Sequence, residues 1–309
     1  MASILSKGSM FPAELTKTMF SKVKGRSSLA KLSAAEPIPF NGTTEFIFSM
    51  DKEVDIVAEN GKKSNGGVTV DPVTIVPIKF EYGTRVSDEF MTAAEEVQLE
   101  YLAAFADGFS KKIARGIDIA AMHGLNPRTG TASTVVGTNN FDSKVTEEIV
   151  YVSTDPDANV DDAVTAIQAA DGDVNGLAMS TAFASALSKM KANGVRLYPD
   201  LAWGGNPGSI NGLNADVNNT VAFGTSTTDM AIVGDFQNAF KWGYAKEIPI
   251  EVIPYGDPDN SGQDLKGYNQ VYLRGEAYVG WGILVPTAFA RIVTEATEPE
   301  DPESVGGTE

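Results

Sequence analysis

Residues 88–122 read DEFMTAAEEVQLEYLAAFADGFSKKIARGIDIAAM, and the rest of the chain is organised around this stretch. Ser87 or Asp88 is placed to cap a helix, Glu89 sits in the first turn where the helix dipole favours a carboxylate, and Gly124 follows as a left-handed C-cap. Apolar residues recur at a step of four: Val97, Tyr101, Phe105, Phe109, Ile113, Ile117 and Ala121, widened by Phe90, Leu99 and Leu102. A step of four overshoots one turn by about 40°, so the stripe winds round the helix and needs different partners at its two ends. At about 1.5 Å per residue the rod is on the order of 50 Å long, a structural spine. The alternative is two shorter helices broken at Gly108 or Gly116, each glycine costing about 1 kcal/mol against alanine.

The chain of 309 residues, 42% hydrophobic, suffices for one large core or two modest ones. It has no cysteine, which excludes disulfides, thiolate metal sites and cysteine nucleophiles. No apolar run approaches the roughly 18 residues of a membrane helix, so no membrane partner is expected. The opening MASILSKGSMFPAELTKTMF lacks the compact apolar segment of a secretory signal, so synthesis in the cytoplasm is expected. The net charge of −17 argues against a chain that grips phosphate. Residues 1–37 run against this trend, with Lys7, Lys17, Lys22, Lys24, Arg26 and Lys31 opposed by Glu14 and Glu36. They read as a basic arm on an acidic body, either with solvated lysines or docked on an acidic neighbouring surface.

The arm has weak helical patterning over Pro12–Val23 and stops at Glu36-Pro37-Ile38-Pro39, an extended lead-in. Thr44–Ala58 and Val68–Val86 are both strand-like, separated by a glycine-, asparagine- and lysine-rich hairpin tip, Glu59–Gly67. Arms of that length would reach on the order of 50 Å. Their apolar positions Phe46, Phe48, Val54, Ile56, Val73, Ile75 and Phe80 need a surface to lie on, which another subunit would supply. Alternatively, Pro72 and Pro77 cut the ribbon into short strands of one compact sheet.

After the spine, Asn126–Gly130 turns the chain and Ser133–Lys144 is loop-like. Val160–Ala170 reads as a helix, Gly176–Ser180 as a buried strand, Thr181–Ala192 as a helix and Met230–Val233 as another buried strand, an α/β assembly. The run Trp203–Asn219 reads as irregular surface loop. Ile248–Tyr255 and Asn269–Leu284 are long strands joined by the polar loop Gly256–Gly267, and Glu295–Glu309 is expected to be a disordered acidic tail.

Chemistry is sparse. His123 is the sole histidine, placed in the last turn of a helix where a packed or dipole-complementing role is expected, and no Gly-x-Ser-x-Gly elbow accompanies it. Gly61-Lys62-Lys63-Ser64 lacks the preceding glycine of a phosphate-binding loop. Asp257-Pro-Asp259-Asn-Ser261-Gly262 matches the opening of a calcium loop, but Tyr268 stands where the bidentate glutamate belongs. Asp155-Pro-Asp157-Ala-Asn159 fails sooner, with Val160 at the glycine position. Both read as plain turns, and no cofactor or metal is expected. The residues describe a non-enzymatic α+β protein suited to assembly.

Several short segments, in order, resemble the major capsid proteins of tailed bacteriophages with the Hong Kong 97 fold. Ala58-Glu59-Asn60-Gly61 through Val73, Ile75, Pro77 and Ile78 to Val86-Ser87-Asp88-Glu89-Phe90 resembles an extended loop running into a spine helix, and Gly116–Gly124 its close. Gly234-Asp235-Phe236, Leu273-Arg274-Gly275-Glu276 and Pro286-Thr287-Ala288-Phe289 resemble that family's Gly-Asp-Phe turn, Leu-Arg-x-Glu strand and Pro-x-Ala-Phe close.

The resemblance implies an N-terminal arm (1–37), an extended β-hairpin loop (38–86), a peripheral domain from the spine (87–144) and C-terminal strands (256–294), an axial domain (145–255) and a tail (295–309). It implies a homo-oligomer of pentamers and hexamers in an icosahedral virion shell made in a host bacterium. That shell would enclose double-stranded DNA without sequence-specific binding, and work with a portal and a separate scaffolding protein, since only a short arm precedes the first strand. Contacts between subunits are implied at the tip (Glu59, Lys62, Lys63), in the axial loop (Trp203, Asn206) and on the Leu-Arg-x-Glu strand (Arg274, Glu276). The rival assembly is an encapsulin nanocompartment, which shares the fold but encloses enzymes; the long ribbon and basic arm favour the phage shell.

Overall fold

The computed structural model describes residues 27–89, 95–224, 229–246 and 250–295, with spine side chains described from Leu102 onward. Within these limits the step-of-four stretch is one unbroken helix, Glu95–His123, that passes straight through both glycines. Gly116 lies under the Phe80 ring and Pro127, where an added Cβ would come within 3.3 Å of the ring. Gly124, at φ +66°, supplies the expected left-handed cap. The helix start expected at Ser87 or Asp88 adjoins residues outside the description; Ser87 itself closes a strand, and its hydroxyl accepts the Glu89 N–H at 3.3 Å. The winding stripe does meet different partners. Leu102 packs with Val252, Val271 and Leu273, whereas Ile113, Ile117 and Ala121 join Leu29, Phe141 and Trp281 in the main core.

In chain order, α1 (Ser28–Leu32) precedes β1 (Thr43–Met50), β2 (Val68–Ile75) and β3 (Ile78–Ser87), which leads to the spine α2 (Glu95–His123). Then come α3 (Phe141–Lys144), β4 (Glu148–Val150), α4 (Pro156–Ala169), β5 (Gly176–Met179), α5 (Thr181–Lys189), and the short strands β6 (Lys191–Ala192), β7 (Val195–Arg196) and β8 (Ser209–Ile210). The chain closes with β9 (Leu213–Val217), β10 (Asp229–Gly234), β11 (Phe240–Lys246), β12 (Ile250–Ile253), β13 (Gln270–Ile283) and β14 (Phe289–Val293).

A six-stranded sheet runs β4-β14-β10-β5-β9-β8. Its central strands are apolar without alternation because both faces are covered. Leu177 and Met179 face Ala163, Ile167, Phe183 and Leu187 of α4 and α5, while Ala178 and Ile232 face the spine side. The second sheet is built on β13, whose 14 residues are needed because it pairs with β3 along one edge and with β11 and β12 along the other. Glycines on β13 admit large neighbours: Phe109 of the spine lies over Gly275, and Ile75 over Gly280 and Gly282.

Four expectations change. The ribbon is half the expected reach: β1 and β2 pair over 8 residues each, about 26 Å, and residues 51–67 carry no strand. Both readings of its prolines are partly realised. Pro77 breaks the second arm and sends β3 into the four-stranded sheet, but Pro72 stays in β2 opposite Phe46, tolerated because both strands of a two-stranded ribbon are edges. Second, the supposed loop 203–219 contains β8 and β9, and β9 pairs in parallel with β5. Third, the sheets do not divide the chain at 255: β11 and β12 already belong with β13, and β14 returns to the six-stranded sheet. Fourth, the end of the arm is core. Leu29, Leu32 and Ile38 are buried, and residues 35–38 lie along β11, with Glu36 and Ile38 donating N–H groups to Trp242 and Tyr244 carbonyls. Residues 1–26 and the acidic tail beyond 295 lie outside the described residues.

Candidate assembly surfaces

Directly paired residues of an antiparallel ribbon share a face. On one face of β1–β2, beyond the Thr44–Thr74 pair, the pairs Phe46–Pro72, Phe48–Val70 and Met50–Val68 form an unbroken apolar run. All are exposed; Phe46, Phe48 and Met50 retain 69, 59 and 70% of their accessible surface. Beyond them Val54 and Ile56 are almost wholly exposed. The opposite face is mixed, pairing Thr43, Glu45, Ile47 and Ser49 with Ile75, Val73, Asp71 and Thr69; Ile75 is buried and Glu45 is held by Lys241 at 2.9 Å. A soluble single chain rarely leaves such a continuous apolar face open, and partner contact is the usual reason.

The sequence-derived contact residues fall in three places. Glu59, Lys62 and Lys63 are exposed in the tip beyond the paired strands. Trp203 sits in the 3-10 turn Pro199–Gly204 at φ +54°, a left-handed conformation that a bulky residue rarely adopts, and is 97% exposed. The Arg196 guanidinium lies 5.7 Å from its ring centre, and Val195 and Leu197 are exposed alongside in the chain. Asn206 has work within the chain, donating to Asp216 and accepting the Val217 N–H, both at 3.0 Å. Arg274 and Glu276 belong to a charge ladder across the second sheet: Arg274 reaches Glu251 at 2.7 Å and Glu276 at 3.3 Å, and Lys79 holds Glu276 at 2.6 Å.

A family model described as the phage capsid family matches residues 7–294. The chain belongs to the phage capsid family. A solved structure from Mycobacterium phage Ogopogo is 33% identical, covering 87% of this chain and 92% of that one with a TM-score of 0.75. One from Gordonia phage Cozz is 26% identical, covering 88% and 87% with a TM-score of 0.73. The capsid of a native GTA particle is similar in fold at 15% identity, covering 96% and 95% with a TM-score of 0.64. No curated protein sequence matches. The architecture is the α+β fold of Hong Kong 97-type capsid proteins, and the encapsulin alternative is not favoured.

Inside this capsid protein, two buried polar networks hold the spine where sequence inspection found only a helix. Asp118, fully buried, accepts from the Ser27 hydroxyl, the Ser28 and Leu29 N–H groups (2.9 and 3.3 Å), Thr220 Oγ1 (2.9 Å) and Asn218 Nδ2 (3.2 Å). Burial pushes its pKa up to about 6 against the pull of these donors. It thereby caps α1 from another element. A carboxylate in an otherwise apolar helix face, with serines ahead of Leu29, was the available signal.

At the spine's end, buried His123 meets Asp142 at 3.0 Å through Nδ1 and the Thr220 carbonyl at 2.8 Å through Nε2. Burial drives the histidine pKa down, but Asp142 and the Thr220 carbonyl outweigh it and the net shift is upward. Burial, then Asp142, pushes Asp229 up to about 8. His123, Asp142 and Asp229 bring ligand atoms within 4.8 Å of one another. The cation there is Arg291, 3.4 Å from Asp142 and 3.6 Å from Asp229, and it also pairs with Glu148. Both ring nitrogens are engaged and the His123 side chain is wholly buried, while Asp142 keeps part of its surface exposed. Among the described residues no helix is long and apolar enough to cross a membrane.

Proposed function

We propose that this chain is the repeating unit of an icosahedral phage head, a non-enzymatic major capsid protein that assembles as pentamers and hexamers. The observation that carries the reading is the apolar ribbon face, uncovered in the chain itself, in a member of the phage capsid family. A second copy covers that face, the tip residues Glu59, Lys62 and Lys63 reach the same neighbour, and Trp203 meets copies around the local symmetry axes. Arg274 and Glu276 carry the charge ladder to the rim of such a contact. The sheet built on β13, with the spine, serves as the peripheral domain, and the six-stranded sheet as the axial domain.

The virion is the site of action, with double-stranded DNA enclosed but not read. The acidic balance of −17 suits a wall that repels packaged DNA. Scaffolding and portal proteins are the expected further partners. Electron microscopy of the chain expressed in bacteria tests the reading: closed shells with five- and sixfold capsomers are expected, and a dispersed monomer at high concentration would overturn it.

A further inference from the structure

The loop joining β12 to β13 contains the calcium-loop opening at Asp257. In a twelve-residue calcium loop, positions 1, 3 and 5 and the carbonyl of position 7 supply oxygens, and position 6 is glycine. Here those places hold Asp257, Asp259, Ser261, Gln263 and Gly262. The fold brings the ligand set together. Asp257 Oδ1, Asp259 Oδ1, Ser261 Oγ and the Gln263 carbonyl converge on a single atom, Nη2 of Arg85, at 2.7, 2.5, 2.5 and 2.9 Å. Gly262 takes the left-handed φ of +81° that the sharp turn demands, and the Ser261 and Gly262 N–H groups pin the Asp257 carboxylate at 3.0 and 2.7 Å.

Arg85 arrives from β3, 172 residues away from Asp257 in sequence. Its Nε also donates to Asp259, and Nη1 to Gln270. A guanidinium Nη bears two hydrogens, so four oxygens around Nη2 exceed what it can donate to. The surplus oxygens surround a positive charge, as they would surround a metal ion that takes six to eight oxygen ligands. The absence of a glutamate at position 12, where Tyr268 stands, removes one negative charge from the set and leaves two carboxylates facing the guanidinium. Asp264 is turned to its own backbone, accepting from Lys266 and Gly267 N–H groups.

We propose that residues 257–268 form a calcium-type loop whose cation position is filled by the chain's own Arg85, so that the loop is ordered without metal and becomes a calcium site when the guanidinium is removed. The raised pKa of Arg85 and the carboxyl of Asp259, held far below the usual range by that arginine, agree with a permanent charge at the centre.

The test titrates the full-length wild type, Arg85→Ala and Arg85→Gln with calcium chloride, read by calorimetry and by terbium luminescence excited through tyrosine. Both variants are expected to bind calcium with Kd on the order of 10⁻⁴–10⁻³ M, the weak end for such loops because position 12 is not a ligand. Wild type should bind at least about tenfold more weakly. Adding Asp259→Asn to Arg85→Ala should abolish binding, and magnesium, which demands stricter octahedral geometry, should not substitute. If Arg85→Ala is too unstable to purify alone, its recovery in calcium and collapse on chelation is the same result. Calcium binding by wild type as tight as by the variants, or no calcium response in either variant, overturns the proposal.

Discussion

The ribbon and the buried end of the spine are built from similar proportions of apolar residues, yet the apolar side chains of the spine's end are covered within the chain and those of the ribbon are not. Around Asp118 every donor has its acceptor, and Leu29, Ile117 and Met122 are almost wholly buried. On the ribbon, Phe46, Phe48 and Met50 stand in solvent in an unbroken apolar run. The difference separates residues that make the subunit from residues that make the assembly. Core substitutions should act on subunit stability, and ribbon substitutions on association alone.

The largest effect on the subunit is expected from Asp118→Ala. It strands the Ser28 and Leu29 N–H groups, the Thr220 hydroxyl and the Asn218 amide in the interior, where each unsatisfied group costs about 1–3 kcal/mol. A loss of about 5 kcal/mol in urea unfolding of the unassembled subunit is expected. A loss below about 1 kcal/mol would mean that water replaces the carboxylate and that the anchor is not what holds α1.

How much of this was legible in sequence follows from how local each cause is. The spine and the buried strands of the six-stranded sheet were legible, because periodicity and unbroken apolar runs are properties of short windows. The open ribbon face was half legible: Phe46 and Phe48 announced a need for cover, but not where Pro77 would divide the strands. β9 was missed inside a glycine- and asparagine-rich run although Asn211-Gly212, both at positive φ, is a strong hairpin signal between Ile210 and Leu213. Partners far apart in sequence were not legible at all. Nothing near Asp257 points to Arg85, the lone carboxylate Asp118 in an apolar helix face signals a buried partner without saying which, and the return of β14 to the first sheet is a property of topology.

The second expectation is a pH slope of unusual sign. Asp229 at about 8 and Asp118 at about 6 both bind protons more tightly folded than unfolded, and His123 is raised as well. Their stabilisation is complete below the unfolded carboxylate range and is lost as pH rises through 6 and then 8. Asp142, whose pKa is lowered on folding, works the other way only as pH falls below about 4. Subunit stability should therefore fall by roughly 5 kcal/mol between pH 5 and pH 8.5. Asp229→Asn, a neutral mimic of the protonated acid, should flatten the upper half of that slope. Equal unfolding midpoints in urea at the two pH values in wild type would show that these carboxyls titrate normally.

The smallest effect on the subunit is expected where the effect on assembly is total. Phe46→Ser, Phe48→Ser and Met50→Ser together alter side chains that are more than half exposed and touch only the ribbon's own open face. Surface changes of this kind move stability by about 0.5 kcal/mol each at most, less still where little area was buried to begin with. The same three side chains are the largest on the face that a neighbour would cover, and at about 25 cal/mol per Å² their burial is worth several kcal/mol per contact, multiplied over every copy in a shell. The triple variant should unfold at nearly the wild-type urea concentration while sedimenting as free subunits or small capsomers where wild type gives shells. Shells in normal yield would show that the face is covered by something other than a second copy. A collapse of subunit stability would show that the ribbon belongs to the core after all, and would erase the contrast between the two regions.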